Sequence, residues 1–263
     1  MKKLLCLFGA SLLIFSSCSS GDSSPDNPGS QNLLLKQIYE EDVILGNQTT
    51  NYTYNGNKLV EINRYDEELD VYTYTGDLIT KIEKFEIYYA GTPDEETNLL
   101  STDYFSYNAN NQLVEFKTTT PDSDMERKTV YTYDNNNTVT FVQNEYNPGE
   151  EPLLLKTGTI TMANGEIGTL QVVKEFDSFT KNYTYDAKNS LFKNVIGYDK
   201  LMMTHIIGIQ SSWTSGDRPM GGIAHNFENN GEFHYTYNSD NYPATADETF
   251  FGSTLHTYEF TYY

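Results

Sequence analysis

Few side chains in this chain are of types that do chemistry, and they are unevenly spread. There are four histidines (His205, His225, His234 and His256), one tryptophan (Trp213) and two cysteines (Cys6 and Cys18). The histidines never stand three to five residues apart, so a local zinc pair is not expected. Nucleophile elbows, phosphate loops and dinucleotide fingerprints do not occur. Acidic clusters at Asp66–Asp70, Asp94–Glu96 and Asp122–Asp124 fall where connections are expected, and none has the twelve-residue spacing of a calcium loop. One segment, Asn189–Asn230, gathers Trp213, Arg218, His205 and His225. A guanidinium beside an indole can bond sugar hydroxyls or a carboxylate while the ring stacks. Trp213 and Arg218 are therefore the first candidates for a ligand site, a glycan above all, with His205 and His225 behind them. In a rival reading the segment caps the sheet and Trp213 is buried. No residue is assigned a catalytic role, and neither a metal nor a cofactor is expected. A hydrolase with its site in the same segment is the remotest alternative.

Cys18 ends a stretch with its own logic. Lys2 and Lys3 precede twelve residues, Leu4–Phe15, that are mostly apolar, too few for the roughly 20 that span a bilayer. Ser16 and Ser17 follow, then Cys18. The run F-S-S-C resembles the lipobox of bacterial lipoproteins, with Phe15 where leucine is usual. That resemblance implies a signal peptide over residues 1–17, acylation of the Cys18 thiol and of the new amino end (palmitate among the chains), and a membrane as partner. Two or more acyl chains are what stable anchoring requires. Cys6 leaves with the signal and Cys18 is taken by lipid, so neither a disulfide nor a thiol nucleophile remains.

Charge narrows the partners. Loss of Lys2 and Lys3 takes Lys+Arg from 17 to 15 against 37 Asp+Glu, near −22. Nucleic acid is excluded, because each phosphate contact needs a cation. The acids also repel an anionic lipid surface and keep a tyrosine-rich protein in solution.

The elements behind these residues are set by a repeat. Tyr-Thr-Tyr followed by a turn occurs at Tyr52–Gly56, Tyr72–Gly76, Tyr131–Asn135, Tyr183–Ala187 and Tyr235–Ser239, with F-S-Y-N-A at Phe105–Ala109. Tyrosines two apart share one face of a strand. Asn-Gly, Thr-Gly or Asn-rich runs then supply the positive φ of a hairpin turn. Each copy reads as one hairpin. Leu59 and Ile62 differ in parity, so either both faces of the return strand are apolar or a bulge intervenes. After a disordered tether at residues 18–32, the segment 33–263 is expected to be one all-β domain. About fourteen strands, joined mostly as an antiparallel meander, should curl into a single curved or barrel-like sheet. The rhythm stops over residues 189–230, and within that stretch Asp199–Gln210 is open between a short helix and a buried strand.

The repeat resembles the YD/RHS-type repeats of many Bacteroidota lipoproteins. The run Y-T-Y-D-A-K-N-S-L-F-K-N-V-I-G-Y-D-K-L at Tyr183–Leu201, with Y-T-Y-N-S-D-N-Y-P at Tyr235–Pro243, looks like uncharacterised members of that set. In RHS proteins such repeats build a curved β shell, so the resemblance implies a curled sheet here and supplies no catalytic residue. The chain departs from the set in being short and lacking a toxin-like end, which argues against an encapsulating shell. The expectation is a non-enzymatic, outer-membrane lipoprotein that binds or scaffolds. Its partner would be a glycan or an envelope protein, and the cell surface is favoured over the periplasm by Asp22 and Asp26.

Overall fold

In the computed structural model, residues 33–42, 46–134, 136–208, 221–228, 233–250 and 252–263 are described. Cys18, Trp213 and Arg218, with the signal and the tether, lie outside them. The chain is all-β, and among the described residues fifteen antiparallel strands form one sheet. The first seven are β1 (Leu35–Asp42), β2 (Gly46–Asn55), β3 (Lys58–Arg64), β4 (Glu68–Thr75), β5 (Leu78–Tyr88), β6 (Glu96–Tyr107) and β7 (Leu113–Thr120). Then come β8 (Ser123–Tyr133), β9 (Thr138–Tyr146), β10 (Leu153–Ala163), β11 (Glu166–Val173) and β12 (Ser178–Asn182). The last three are β13 (Phe233–Tyr237), β14 (Pro243–Phe250) and β15 (Ser253–Tyr262). Strands β1 to β12 form a meander, and β13–β14–β15 joins it by pairing β15 with β1. β1 is therefore an interior strand, bonded on both sides. Among the described residues the sheet is not closed; β12 and β13 are its edges.

Two turn chemistries serve the repeat. Gly56 and Gly76 stand at φ 60° and 58° in the short turns, where a side chain would be strained. The longer turns begin with a side-chain acceptor instead. Asn108, Asp134 and Asn238 each take two backbone N–H groups through Oδ1, and Asn111, Asn137 and Asn241 carry the positive φ.

The parity of Leu59 and Ile62 is resolved by a bulge. Tyr54 faces Leu59 and Thr53 faces Glu61, so Val60 is extra and both aliphatics point inward. The same bulge recurs at Tyr74, Tyr107 and Tyr237. The hairpin β8–β9 has none, and there the inward pair Val139 and Phe141 is two apart. Ile160-Thr161-Met162 has the same bulged register against Ile167, making it a repeat copy without tyrosine that the motif search passes over.

Hydroxyls lock neighbouring hairpins. Tyr107 donates to Ile79 O (2.7 Å), Tyr133 to Leu113 O (2.9 Å), Tyr185 to Ile167 O (2.8 Å) and Tyr262 to Pro243 O (2.8 Å). Burial lifts Tyr74, Tyr133 and Tyr183 to about 12.

The copy at Tyr183–Ala187 does not turn back as a hairpin. After β12 the chain leaves the sheet, and the backbone of Tyr185 pairs with Phe227 as an isolated bridge. Asp199–Gln210, as far as it is described, is helical: a 3₁₀ turn at Tyr198–Leu201 runs into α1 (Met202–Gly208).

Candidate functional site

The inner face of the sheet has two halves. The half beside the repeat turns is apolar, and the described part of the 189–230 segment lies against it. Ile196 N donates to Asn57 O (2.9 Å), Asn57 Nδ2 to Asn194 O (3.2 Å) and Tyr74 OH to Ile196 O (3.2 Å). Gly197 sits so close to the second hairpin that a Cβ there would lie 2.7 Å from Asp77 O. Phe192 stacks on Tyr198 at 4.2 Å and touches the ring of Tyr52. Leu191, Val195, Leu201, Met202, Ile206 and Ile207 are all buried. Six such side chains, at roughly 1.5–3 kcal/mol each, make this segment part of the core.

Two carboxylates hold the return of the segment. Glu166, buried at the start of β11, accepts from the backbone N–H of Ile223 (2.7 Å), Ala224 (2.7 Å) and His225 (2.9 Å). His225 Nδ1 lies 3.2 Å from the same carboxylate. Asp186 accepts from Asn226 N, Asn226 Nδ2 and Tyr237 OH, and so ties the segment to β13. His205 instead lies on α1, its ring 5.6 Å from that of Tyr198. The two candidate histidines thus serve different contacts, and Trp213 and Arg218 fall outside the described residues.

The other half of the inner face is a polar belt. Stepping two residues from several of the buried apolar side chains, away from the repeat turn, reaches Glu40 from Ile38, Arg64 from Ile62 and Asp70 from Tyr72. The same step leads to Asp103 from Phe105, Gln143 from Phe141 and Glu248 from Ala246. Glu40, Asp70, Asp103, Gln143 and Glu248 are buried, and they are paired. Arg64 binds Asp70 at 2.8 Å, and Thr118 donates to Asp103 at 2.6 Å with Lys84 at 3.2 Å. Gln143 donates to Thr129 at 2.9 Å. His256 Nδ1 stands 3.0 Å from Glu40, its Nε2 is 4.0 Å from Glu248, and Tyr65 and Tyr258 donate to those two carboxylates. On the same belt Lys156 reaches Ile207 O at the end of α1 (2.8 Å). Burial, with Lys174 and Arg127 nearby, pulls its ammonium down to about 8. Sequence reasoning missed these residues; their signal is a polar side chain two positions beyond many of the inward aromatics and aliphatics.

Beyond the belt lie the connections opposite the repeat turns. The β3–β4, β5–β6 and β7–β8 connections carry the three acidic clusters seen in the sequence, and Glu150, Glu151, Glu175 and Asp177 follow in the next two. This rim contains a cleft of about 510 Å³ between residues 65–67 and 86–90, lined among others by Tyr65, Asp66, Glu67, Glu86, Tyr88 and Tyr89. Ile87 N donates to Glu67 O (2.6 Å) across its floor.

The outward face of the central strands carries ion pairs: Lys81–Glu83 (2.8 Å), Lys117–Glu126 (2.9 Å) and Lys128–Glu115 (3.3 Å). Among the described residues no helix is long and apolar enough to cross a membrane, and no group of three His, Cys, Asp or Glu could hold a metal ion.

No protein-family model and no curated protein matches the chain. A solved structure, a porin-like protein from Bacteroides uniformis, aligns with 87% of this chain and 98% of its own at 12% identity and a TM-score of 0.43.

Proposed function

We propose that this chain is a lipid-anchored protein of the cell envelope that binds a partner without transforming it. Acyl chains on Cys18 attach it to the outer membrane, facing the cell surface, and residues 19–32 form the tether. The repeat likeness to YD/RHS-type lipoproteins belongs to the same proposal. The observation that carries binding over catalysis is how the inner face is used. Its apolar half is covered by the described part of the chain's own segment and its polar half is paired across strands, while among the described residues a cleft stands open at the rim. The charged outward face favours attachment through Cys18. Strands that face lipid present an apolar band, and Lys or Arg there costs about 2–4 kcal/mol at mid-membrane. Since β1 is bonded on both sides, pull on the tether is borne by the middle of a sheet rather than by an edge.

The test is membrane fractionation of Cys18→Ala against the unaltered chain, with high-salt and carbonate washes. Release of the variant, or its retention as an unprocessed precursor, supports the anchor. A processed Cys18→Ala protein that stays with membranes through both washes removes it.

A further inference from the structure

The rim cleft has a chemistry of its own, and we propose that it binds an alkylammonium group. The proposal rests on the reading of this chain as a binding protein and names the class of ligand. The wall combines exposed aromatic rings with carboxylates. Tyr89 is 69% exposed and Tyr88 is 41% exposed, beside Asp66, Glu67 and Glu86.

Hydrogen-bond polarity selects the ligand's sign. The Tyr88 hydroxyl spends its proton on Glu86, and the Tyr65 hydroxyl donates to Glu40 at 3.0 Å. The Tyr88 phenol then turns lone pairs to a visitor, and the carboxylates accept as well, so the wall asks for donors or positive charge. Residues 65–70 and 86–96 include eight acids and no lysine or arginine. Arg64, next in the chain to Tyr65, is turned to Asp70 and to Glu68. In the β4–β5 register Glu68 faces Glu86 directly, with Arg64 beside Glu68. Acids alone would suit a bare metal ion. Rings alone would suit a sugar face. Rings and carboxylates together suit a cation with an apolar body, held over the π face and neutralised at its edge. The acidic connections around the rim add a long-range field that draws such a ligand in.

The test is calorimetric titration of the full chain in maltoside micelles with tetramethylammonium chloride, with calcium chloride and a neutral methyl glycoside as controls. Saturable binding of tetramethylammonium, weakened roughly fivefold or more by Glu86→Gln and by Tyr89→Leu, is the expected result. Leucine keeps an apolar body at that position and removes the π face. High salt should weaken binding further. Should Tyr89→Leu lose its native far-UV spectrum, Tyr88→Leu carries the same expectation. Choline and Nα-acetyl-lysine amide, run side by side, distinguish a free quaternary ammonium from a lysine side chain as the source. Heat with calcium or with the glycoside but not with tetramethylammonium overturns the proposal, as does binding indifferent to the tyrosines. Neither the titration nor its outcome depends on acylation, so the ligand and the anchor can each fail alone.

Discussion

The two halves of the inner face are built from the same strands and the same alternation, yet they are stabilised by opposite means. Beside the repeat turns, tyrosines and aliphatics meet the buried side of the segment that follows β12, and cohesion is area removed from water. Two residues further along many of the strands the inward positions are Glu, Asp, Arg, Lys, Gln and His, and each buried charge is answered by a neighbour. The lesson is that alternation decides which way a side chain points, while the nature of what it meets decides whether the position is apolar. Where the chain's own segment reaches, the face is greasy. Past its reach, the face is polar and cross-linked.

This contrast can be broken from either side. The largest effect falls on the turn half in alkali. Burial raises Tyr74, Tyr133 and Tyr183 to about 12, against about 10 for tyrosine in the unfolded chain. A raised acid is protonated longest in the folded state, so the stability it lends is whole below about pH 10 and is lost as pH rises towards about 12. Unfolding in that window should be cooperative, with tyrosinate absorbance and loss of the strand spectrum rising together. Gradual tyrosinate growth at constant strand content would mean that the rings are not packed.

On the belt, Arg64→Met strands the buried Asp70 carboxylate and should cost about 3 kcal/mol in urea unfolding. Pairing it with Asp70→Leu should recover most of that loss, because the penalty is an unanswered charge and not a missing contact. If the double variant is as unstable as the single one, the belt is held by something other than pairing.

The smallest effect separates two tyrosines of one repeat copy. Tyr133 donates to Leu113 O, whereas the buried Tyr131 hydroxyl has no partner among the described residues. Tyr133→Phe should therefore cost about 1 kcal/mol and Tyr131→Phe close to nothing or less. Equal costs would contradict the account of the hydroxyl ladder.

Much of the sheet was legible in the chain because its signals are local. Turn residues and the two-residue tyrosine spacing act within one hairpin, and even the bulge was hinted at by the three-residue spacing of Leu59 and Ile62. The Ile160-Thr161-Met162 copy escaped notice because its inward positions need only bulk, and methionine supplies that without a phenol. The pairing of β1 with β15 was not legible, since strand partners 200 and more residues apart leave no local mark. The candidate site fared less well. The acidic clusters were visible, but their gathering at one rim follows from the meander, which puts alternate connections at the same end. Glu166 and Asp186 read as ordinary acids, because the backbone amides they bind come from residues 223–226, far along the chain. For His205 and His225 the sequence showed a shared segment, and the fold gave them different neighbours.

The central claim is that the segment after β12 is core rather than a loop over a cleft, and hydrogen exchange at one amide tests it most directly. Ile196 N–H donates to Asn57 O beneath the first hairpin. If the segment is core, this amide exchanges only through global unfolding, as slowly as the buried strand amides of Ile62 and Ile82. Exchange within seconds, at the rate of exposed connections such as Gly91 or Gly149, would contradict the claim.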